Sequence, residues 1–517
     1  MSWSARVCLV VVAGAAACSR AEREAPAMRE ERPIPRPQAV PPVPKPLGKL
    51  APAAGWAAVG VDRLGEVPDS SWFTNRNAVR PVSPEAIRRG PGPHPRPRDG
   101  ARWAIVGTKE TGYAIGFRAR DERGAEYYLK FDPRGHDEVE TGADVATQRL
   151  LFAAGYNVPE NDVVYVARER LSIAPGALAR DEDGERPLRD DDVTAMLARA
   201  AREPDGRYRA LASRVLPGEP LGGIEPKGVR PGDANDAIAH QDRRDMRGLY
   251  SIAAWLNHTD IKAKNSLEVW IPDRGDPSRG RVAHYLLDFG KALGAMARID
   301  RRPEVGFAHE GDTDVKVDLG PFPDLRGLGW LESEQFDPAQ WKTLAPWLPF
   351  QAADRFDRFW GARIVMSFTP QQIRAALEAA RYTEPRTVEQ VLRVLLERQR
   401  KVGVSFFQEV APLDRFRVER GALCYDDLWA RHRLGGGAAT YVAELVREKD
   451  DGEPWRDTAG AGADGVVCHR GLPGPARGQT LAFELRVARP GQDLPPVVVT
   501  LEAPASGPPR VVALDRR

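Results

Sequence analysis

The chain has 517 residues, enough for two or three domains and a sizeable core. Its 75 basic and 73 acidic residues leave a net charge of +2, which gives no electrostatic case for a nucleic-acid partner. Apart from one short run at the start, no apolar stretch approaches the length of a membrane span.

That short run reads as an export signal. Arg6 supplies a positive charge, and Val7 to Ala17 is apolar and uncharged. Such a run is too short to cross a bilayer but suits a signal-peptide core. Ala15-Ala16-Ala17-Cys18 follows and resembles the bacterial lipobox. Small residues admit a signal peptidase, and the Cys18 thiol can carry diacylglycerol. An ordinary secretory signal cleaved near Ala17 is the alternative. On the lipobox reading, acyl chains on Cys18 anchor the mature chain. Ser19 then directs it to the outer membrane, which places the protein in the cell envelope. Export also makes a disulfide the expected state of Cys424 and Cys468, the two cysteines of the mature body.

After the signal peptide (1–18), residues 19–55 read as a tether. Pro33, Pro35, Pro37, Pro41, Pro42, Pro44 and Pro46 favour extended polyproline. Residues 56–100 form an N-terminal extension, with folding expected to begin near Trp56 and a polar, aromatic segment at Ser71-Trp72-Phe73-Thr74-Asn75-Arg76. From Trp103 the pattern is strand-like. Trp103–Val106, Ala114–Ala119 and Glu126–Phe131 form a three-stranded meander. Gly107 and Gly112 bracket its first turn, whose amides either cover phosphates or make a plain hairpin. A helix is expected over Val139–Ala154 with Gly155 as its stop. Strands follow at Val163–Val166 and Tyr208–Leu216, with a charged loop or short helix across Arg180–Gly206. Beyond Gly223 the chain reads as mainly helical: an amphipathic helix over Asp242–Leu256, then Pro338–Trp347, Ala352–Ser367, Pro370–Ala380 and Thr387–Lys401. From Pro412 the pattern is β-rich, with strands at Thr480–Val487 and Pro496–Leu501. The fold class is therefore α+β.

Four segments carry chemistry. Lys130 lies near the end of the third strand. Glu140 and Asp144, four residues apart, share one helix face. Asn257-His258-Thr259-Asp260-Ile261-Lys262-Ala263-Lys264-Asn265 follows a helix, and Asp288-Phe289-Gly290 closes a strand-like run from Val282. Phosphoryl transfer needs this inventory: a lysine on the phosphates, an acid to hold it, an aspartate facing the acceptor hydroxyl, and an Asn and a second Asp on Mg²⁺. Asn265 and Asp288 offer the oxygen ligands that Mg²⁺ prefers. The D-x-x-x-x-N spacing of Asp260 and Asn265 is that of the protein-kinase catalytic loop, and Lys262 sits where a lysine can stabilise the transferring phosphate. His240, His258 and His284 show no metal spacing and read as structural.

In these segments, together with Gly155-Tyr156-Asn157-Val158-Pro159, the chain resembles the HipA-like and related atypical protein kinases. It resembles more closely a group of bacterial lipoproteins that share the Ser71–Arg76, Ala254–Asp260 and Tyr285–Gly290 segments. The resemblance spans about Pro68 to Phe416. It implies a two-lobed kinase-like fold with a β-rich N-lobe (101–222), a helical C-lobe (223–411) and ATP between them, followed by a small β-rich domain (412–517). It implies Lys130 on the phosphates, Asp260 as base, Asn265 and Asp288 on the metal, and an adenine-reading hinge near Arg214-Val215-Leu216. By its position before Gly155, Asp144 is the preferred partner of Lys130, with Glu140 the alternative. His258-Thr259-Asp260 stands in place of His-Arg-Asp, and no Ala-Pro-Glu follows Asp288, so the acceptor is open. The expected function is a membrane-anchored, ATP/Mg²⁺-dependent phosphotransferase. The alternative is a non-catalytic kinase-fold scaffold or binding lipoprotein of the envelope.

Overall fold

The computed structural model describes residues 31–39, 57–108, 115–181, 184–446 and 454–517. Cys18, Trp56 and Gly112 lie outside the described residues. The chain is a mixed α and β structure whose described residues form four sheets and a set of helices.

Residues 31–39, expected inside a free tether, lie against the body instead. β1 (Ile34–Pro35) pairs antiparallel with Gly280 and Arg279. Ile34 is buried with Leu221, Trp270 and Val282. Arg36 pairs with Glu219 at 2.8 Å, and the Glu31 carboxylate accepts from the Ser71 N–H at 2.7 Å. Proline is tolerated there because β1 is an edge strand. The proline content masked one apolar side chain with a place to go.

α1 (Pro84–Arg89) is capped by the Ser83 hydroxyl. The Ser71–Arg76 segment before it is a structural clamp. Trp72 stacks on His284 at 3.6 Å, with the Arg243 guanidinium 4.3 Å from its ring centre. Phe73 packs on Tyr156 and Trp360. Arg76 donates to the carbonyls of Phe152 and Tyr156 at 2.8 and 3.2 Å.

The meander is present. β2 (Trp103–Thr108), β3 (Gly116–Asp121) and β4 (Glu126–Phe131) pair antiparallel in succession. α2 (Val139–Ala154) stops at Gly155, whose φ of 130° suits glycine. Next come β5 (Asn161–Val166), β6 (Leu171–Asp181), β7 (Gly184–Pro187), α3 (Asp190–Ala198) and β8 (Tyr208–Arg214). The charged stretch from Arg180 is thus a hairpin and a helix, and Val193 and Leu197 of α3 are buried against the sheet core. The seven strands run in the order β5-β8-β4-β3-β2-β6-β7, with β2 and β6 parallel.

β9 (Glu219–Gly222) leads to α4 (Arg244–Leu256), which has the expected amphipathic pattern and is nevertheless buried nearly all round. Its charges are tolerated because they are paired: Arg247 with Asp242 at 2.8 Å, Arg244 with Asp357 at 2.6 Å. Asn257, at φ 48°, ends the helix in the left-handed conformation that Asn tolerates. β10 (Ser266–Pro272) and β11 (Arg279–Leu286) then form a hairpin inside the region read as mainly helical; β11 contains the strand-like run expected from Val282, and the sheet is β1-β11-β10-β9. α5 (Ala295–Asp300) follows.

No helix covers Pro338–Trp347. Trp341 Nε1 donates to Asn257 Oδ1 at 2.9 Å and the Leu344 N–H to the Thr259 carbonyl at 3.0 Å, so the segment braces the loop after α4. α6 (Leu348–Gln351), α7 (Arg355–Met366), α8 (Pro370–Ala379) and α9 (Pro385–Phe406) complete this region. Asp354 starts α7 through a capping box, and Pro385 opens α9. One apolar core lies in the seven-stranded sheet; a larger one joins α4, α7, α8 and α9 and reaches back to α2.

The last region is β-rich, as expected. β12 (Leu413–Glu419), β13 (Ala422–Asp427), α10 (Leu428–Arg431), β14 (Thr440–Leu445), β15 (Arg456–Ala459), β16 (Val466–His469), β17 (Thr480–Arg489), β18 (Gln492–Asp493), β19 (Val497–Glu502) and β20 (Arg510–Arg516) build two sheets around Tyr425, Tyr441, Phe483 and Val499. Cys424 and Cys468 face each other across β13 and β16 and form a disulfide. It closes a 44-residue loop. Replacing both cysteines by alanine is expected to cost this region about 2–4 kcal/mol, read by denaturant unfolding of the two forms. Identical midpoints would show that the bridge is dispensable.

Candidate functional site

Alternation along β4 buries Tyr127, Leu129 and Phe131 in the sheet core and sends Lys130 to the other face. There Lys130 Nζ meets Asp288 Oδ1 at 2.8 Å, joining positions 158 residues apart. Burial alone would lower the lysine pKa. Asp288, Asp144 and Glu140 outweigh it and push the pKa up, so the ammonium stays charged.

Asp144 is buried on α2. Its Oδ1 accepts from Asn161 Nδ2 at 2.6 Å and its Oδ2 from the Phe289 N–H at 3.1 Å. Burial raises its carboxyl to about 6; Lys130 opposes the rise and the like charge of Asp288 adds to it. Asp288 itself has φ 61°, a left-handed conformation uncommon outside glycine and favoured by Asp among the exceptions. Glu140, one helical turn from Asp144, pairs with Lys291 instead. The direct partner of Lys130 is therefore Asp288. Asp144 stands behind that pair, and Glu140 serves another cation.

The second half of the constellation lies in the loop after α4. Asp260 Oδ1 pairs with Lys262 Nζ at 2.6 Å, and Asn265 Nδ2 donates to Asp260 Oδ2 at 2.9 Å and to its carbonyl at 2.7 Å. The loop backs onto Gly223, where a Cβ would come within 2.1 Å of the Ala263 carbonyl; no other residue fits. The Leu287 N–H donates to the Asn265 carbonyl at 2.9 Å, which ties the loop to the strand end before Asp288. His258 lies buried edge-on to Phe289, with ring centres 5.6 Å apart. Burial lowers its pKa to about 4 against the pull of Asp260 and Asp288, so it is a neutral spacer beneath both carboxylates.

Oxygen donors dominate the site. Because the Asn265 amide donates towards Asp260, its Oδ1 is left as the acceptor end. That oxygen and a carboxylate make a hard donor set suited to Mg²⁺, which takes one or two protein ligands and completes its shell with water and phosphate. Among the described residues, no cluster of three His, Cys, Asp or Glu side chains is placed to hold a metal. His240 and His284 flank Trp72, in keeping with a structural role.

Other expected residues fall elsewhere. Gly107 is a strand residue of β2, beside a register shift, where a Cβ would lie 3.2 Å from the Leu178 carbonyl. It serves strand packing, not a turn. Val215 and Leu216 follow β8, and the Val215 N–H already donates to the Glu126 carbonyl at 2.9 Å, so that amide is engaged in the ladder and not open to an adenine. Arg214 lies opposite Tyr127 and Leu211 opposite Lys130, so Val215 sits roughly 13 Å along the strands from Lys130. Asn161 and Lys291 escaped the sequence reading. Lys291 directly follows Gly290, a signal that was there to use; Asn161 left none.

The two candidate acids separate by burial. Asp144→Ala would orphan the Phe289 N–H and the Asn161 amide and is expected to cost about 2–4 kcal/mol. Glu140→Ala is expected to cost under about 1 kcal/mol. Urea unfolding of both variants checks this, and equal costs would refute it.

No family model matches the chain, and no curated protein matches it. Among solved structures it is similar to the crystal structure of a Golgi casein kinase with Mn and ADP bound. The two share 10% identity and a TM-score of 0.31, over 60% of this chain and 72% of that one. Likeness that slight leaves function to be read from the residues themselves.

Proposed function

We propose that the chain is a phosphotransferase with a two-lobed, kinase-like architecture that uses a nucleoside triphosphate and Mg²⁺, lipid-anchored in the cell envelope. The observation that carries this reading is the Lys130–Asp288 pair backed by buried Asp144 and linked to the Asp260–Asn265 loop. Lys130 holds the phosphates. Asn265 and Asp288 hold Mg²⁺, which when bound neutralises phosphate charge. Asp260 accepts the proton of the acceptor hydroxyl, and Lys262 stabilises the phosphoryl group. The bond from the γ-phosphorus to the bridging oxygen breaks, a bond to the acceptor oxygen forms, and the nucleoside diphosphate leaves. Release of phosphate or its transfer, measured on the mature chain with ATP and Mg²⁺, tests the reading. No turnover with any envelope acceptor would count against it.

Anchoring is part of the proposal. Twelve residues, or thirteen chain steps, separate Cys18 from Glu31, where the described chain begins. Fully extended they reach about 45 Å. With β1 held on β11, the body stays close to its membrane. Cys18→Ala is expected to move the protein from the membrane to the soluble fraction and to abolish incorporation of labelled acyl chains. Continued labelling would refute the anchor.

A further inference from the structure

A second cleft, of about 260 Å³, opens beside the candidate site. His136 from the turn before α2, Arg298 and Arg301 from α5 and its end, and Phe322, Asp324 and Trp330 line it. His136 belongs to the lead-in of the helix that carries Glu140 and Asp144. α2 begins at Val139, roughly 7.5 Å along the helix from Asp144, and the lead-in that carries His136 lies beyond it, past the Glu140–Lys291 pair.

Its cations are held but not neutralised. Arg298 Nη1 donates to the carbonyls of Leu325 and Leu328, which fixes the guanidinium without cancelling its charge. Its one carboxylate partner, Asp324 at 3.2 Å, has a side chain 98% exposed, so that hold is weak. Among the described residues, no carboxylate lies within ion-pair distance of Arg301. His136 Nδ1 is buried without a hydrogen-bond partner. The other wall is aromatic. Phe322 and Trp330 stack with ring centres 5.9 Å apart and planes 10° from parallel. The Trp330 backbone N–H donates to the Gly294 carbonyl at 2.9 Å, which ties this segment to the turn before α5.

Two guanidiniums and a flat aromatic pair lining one cleft match one chemistry. We propose that this cleft binds an anionic sugar, a sugar ring bearing a phosphate or carboxylate, with the acid on Arg298 and Arg301 and the ring face on Trp330. Its role as the acceptor site rests on the phosphotransfer reading; its binding of the sugar does not. The arginines act on the charge that distinguishes such a ligand from a neutral sugar, and the tryptophan on the ring that distinguishes it from a bare anion.

Calorimetric titration of the mature chain at low salt tests this, with glucose 6-phosphate, glucuronate, neutral glucose and inorganic phosphate as probes. At least one anionic sugar is expected to bind about tenfold or more tightly than both glucose and inorganic phosphate. Arg301→Gln, at an exposed position, is expected to weaken that binding about tenfold, and Trp330→Leu to remove the preference over inorganic phosphate. Sugar binding by an unsubstituted chain that turns over no nucleotide would fail the phosphotransfer reading and leave the cleft standing, whereas turnover without sugar binding would fail the cleft alone. Glucose or inorganic phosphate binding as tightly as both anionic sugars, an unchanged affinity in Arg301→Gln, or no binding by any probe would overturn the proposal.

Discussion

Asp288→Ala is expected to lower nucleotide turnover by at least about a thousandfold, some 4 kcal/mol of transition-state stabilisation. The carboxylate is asked to hold the metal and to fix Lys130, and its removal ends both. Lys130 is then left to Asp144, whose own carboxyl is raised to about 6 by burial. The lysine is expected to shift towards α2 and away from the phosphates. Stability is affected less, because the Asp288 side chain is 37% exposed. Alanine does pay for the left-handed backbone at φ 61°, about 1 kcal/mol or more. Asp288→Asn is therefore the cleaner companion, since Asn tolerates that conformation and loses only the charge. Steady-state phosphate release, alongside thermal unfolding, separates the two effects. Unchanged turnover in both variants would remove Asp288 from the site.

Arg363→Met is expected to cost about 3–5 kcal/mol and to break the unfolding transition into two. Arg363, on α7, meets Glu66 through both terminal nitrogens at 2.7 and 2.6 Å, and Asp414 of β12 at 2.7 Å. One guanidinium thus joins the N-terminal extension, the helices and the β-rich region. Without it, Asp414 keeps Arg516 at 3.5 Å and the Arg415 backbone N–H. Burial alone would raise the Asp414 carboxyl, but Arg363 and Arg516 outweigh it and hold it below its ordinary value. A carboxyl depressed by folding stabilises the protein above its unfolded pKa, about 4, and that stability is lost as pH falls further. The cost of Arg363→Met should therefore shrink below about pH 4. Calorimetric scans at neutral and acid pH check both parts. A single transition with an unchanged midpoint would contradict them.

Much of the architecture was legible because local signals agreed. Alternation over Glu126–Phe131 and the run from Val139 to the Gly155 stop mark β4 and α2 residue for residue. The Cys424–Cys468 pairing was expected from there being two cysteines in a body read as exported, and the two do form a disulfide. Other features needed the third dimension. Pro338–Trp347 has helical composition, yet its donors go to Asn257 and Thr259. α4 is amphipathic in pattern because of its arginines and Asp245, and these are buried because they are paired: Arg244 with Asp357 of α7, Arg247 with Asp242 and Asp245 with Arg243 just before the helix. Ile34 sits in a proline-rich stretch that reads as free chain until β11 offers an edge.

The candidate site divides in the same way. The spacing of Asp260 and Asn265 brings them into contact within one loop, which is a local matter. The partner of Lys130 was not local. Position on α2 favoured Asp144, but the direct pair is with Asp288 and Asp144 holds the backbone beyond it. No periodicity announces His136, Arg298, Arg301 and Trp330, which come from three separate segments and meet only in the fold.

The proposed envelope location sharpens the question, because ATP is scarce outside the cytoplasmic membrane. A non-catalytic scaffold would keep the Lys130–Asp288 pair as a structural tie and bind no nucleotide. Thermal unfolding of the mature chain with ATP, with and without Mg²⁺, decides between the two. Ligand that binds only the folded state stabilises it by about 2.7 kcal/mol at a hundredfold excess over Kd. The phosphotransferase reading predicts a rise in Tm with ATP that depends on Mg²⁺ and disappears in Asp288→Asn. An unchanged Tm with every nucleotide at millimolar levels would contradict it.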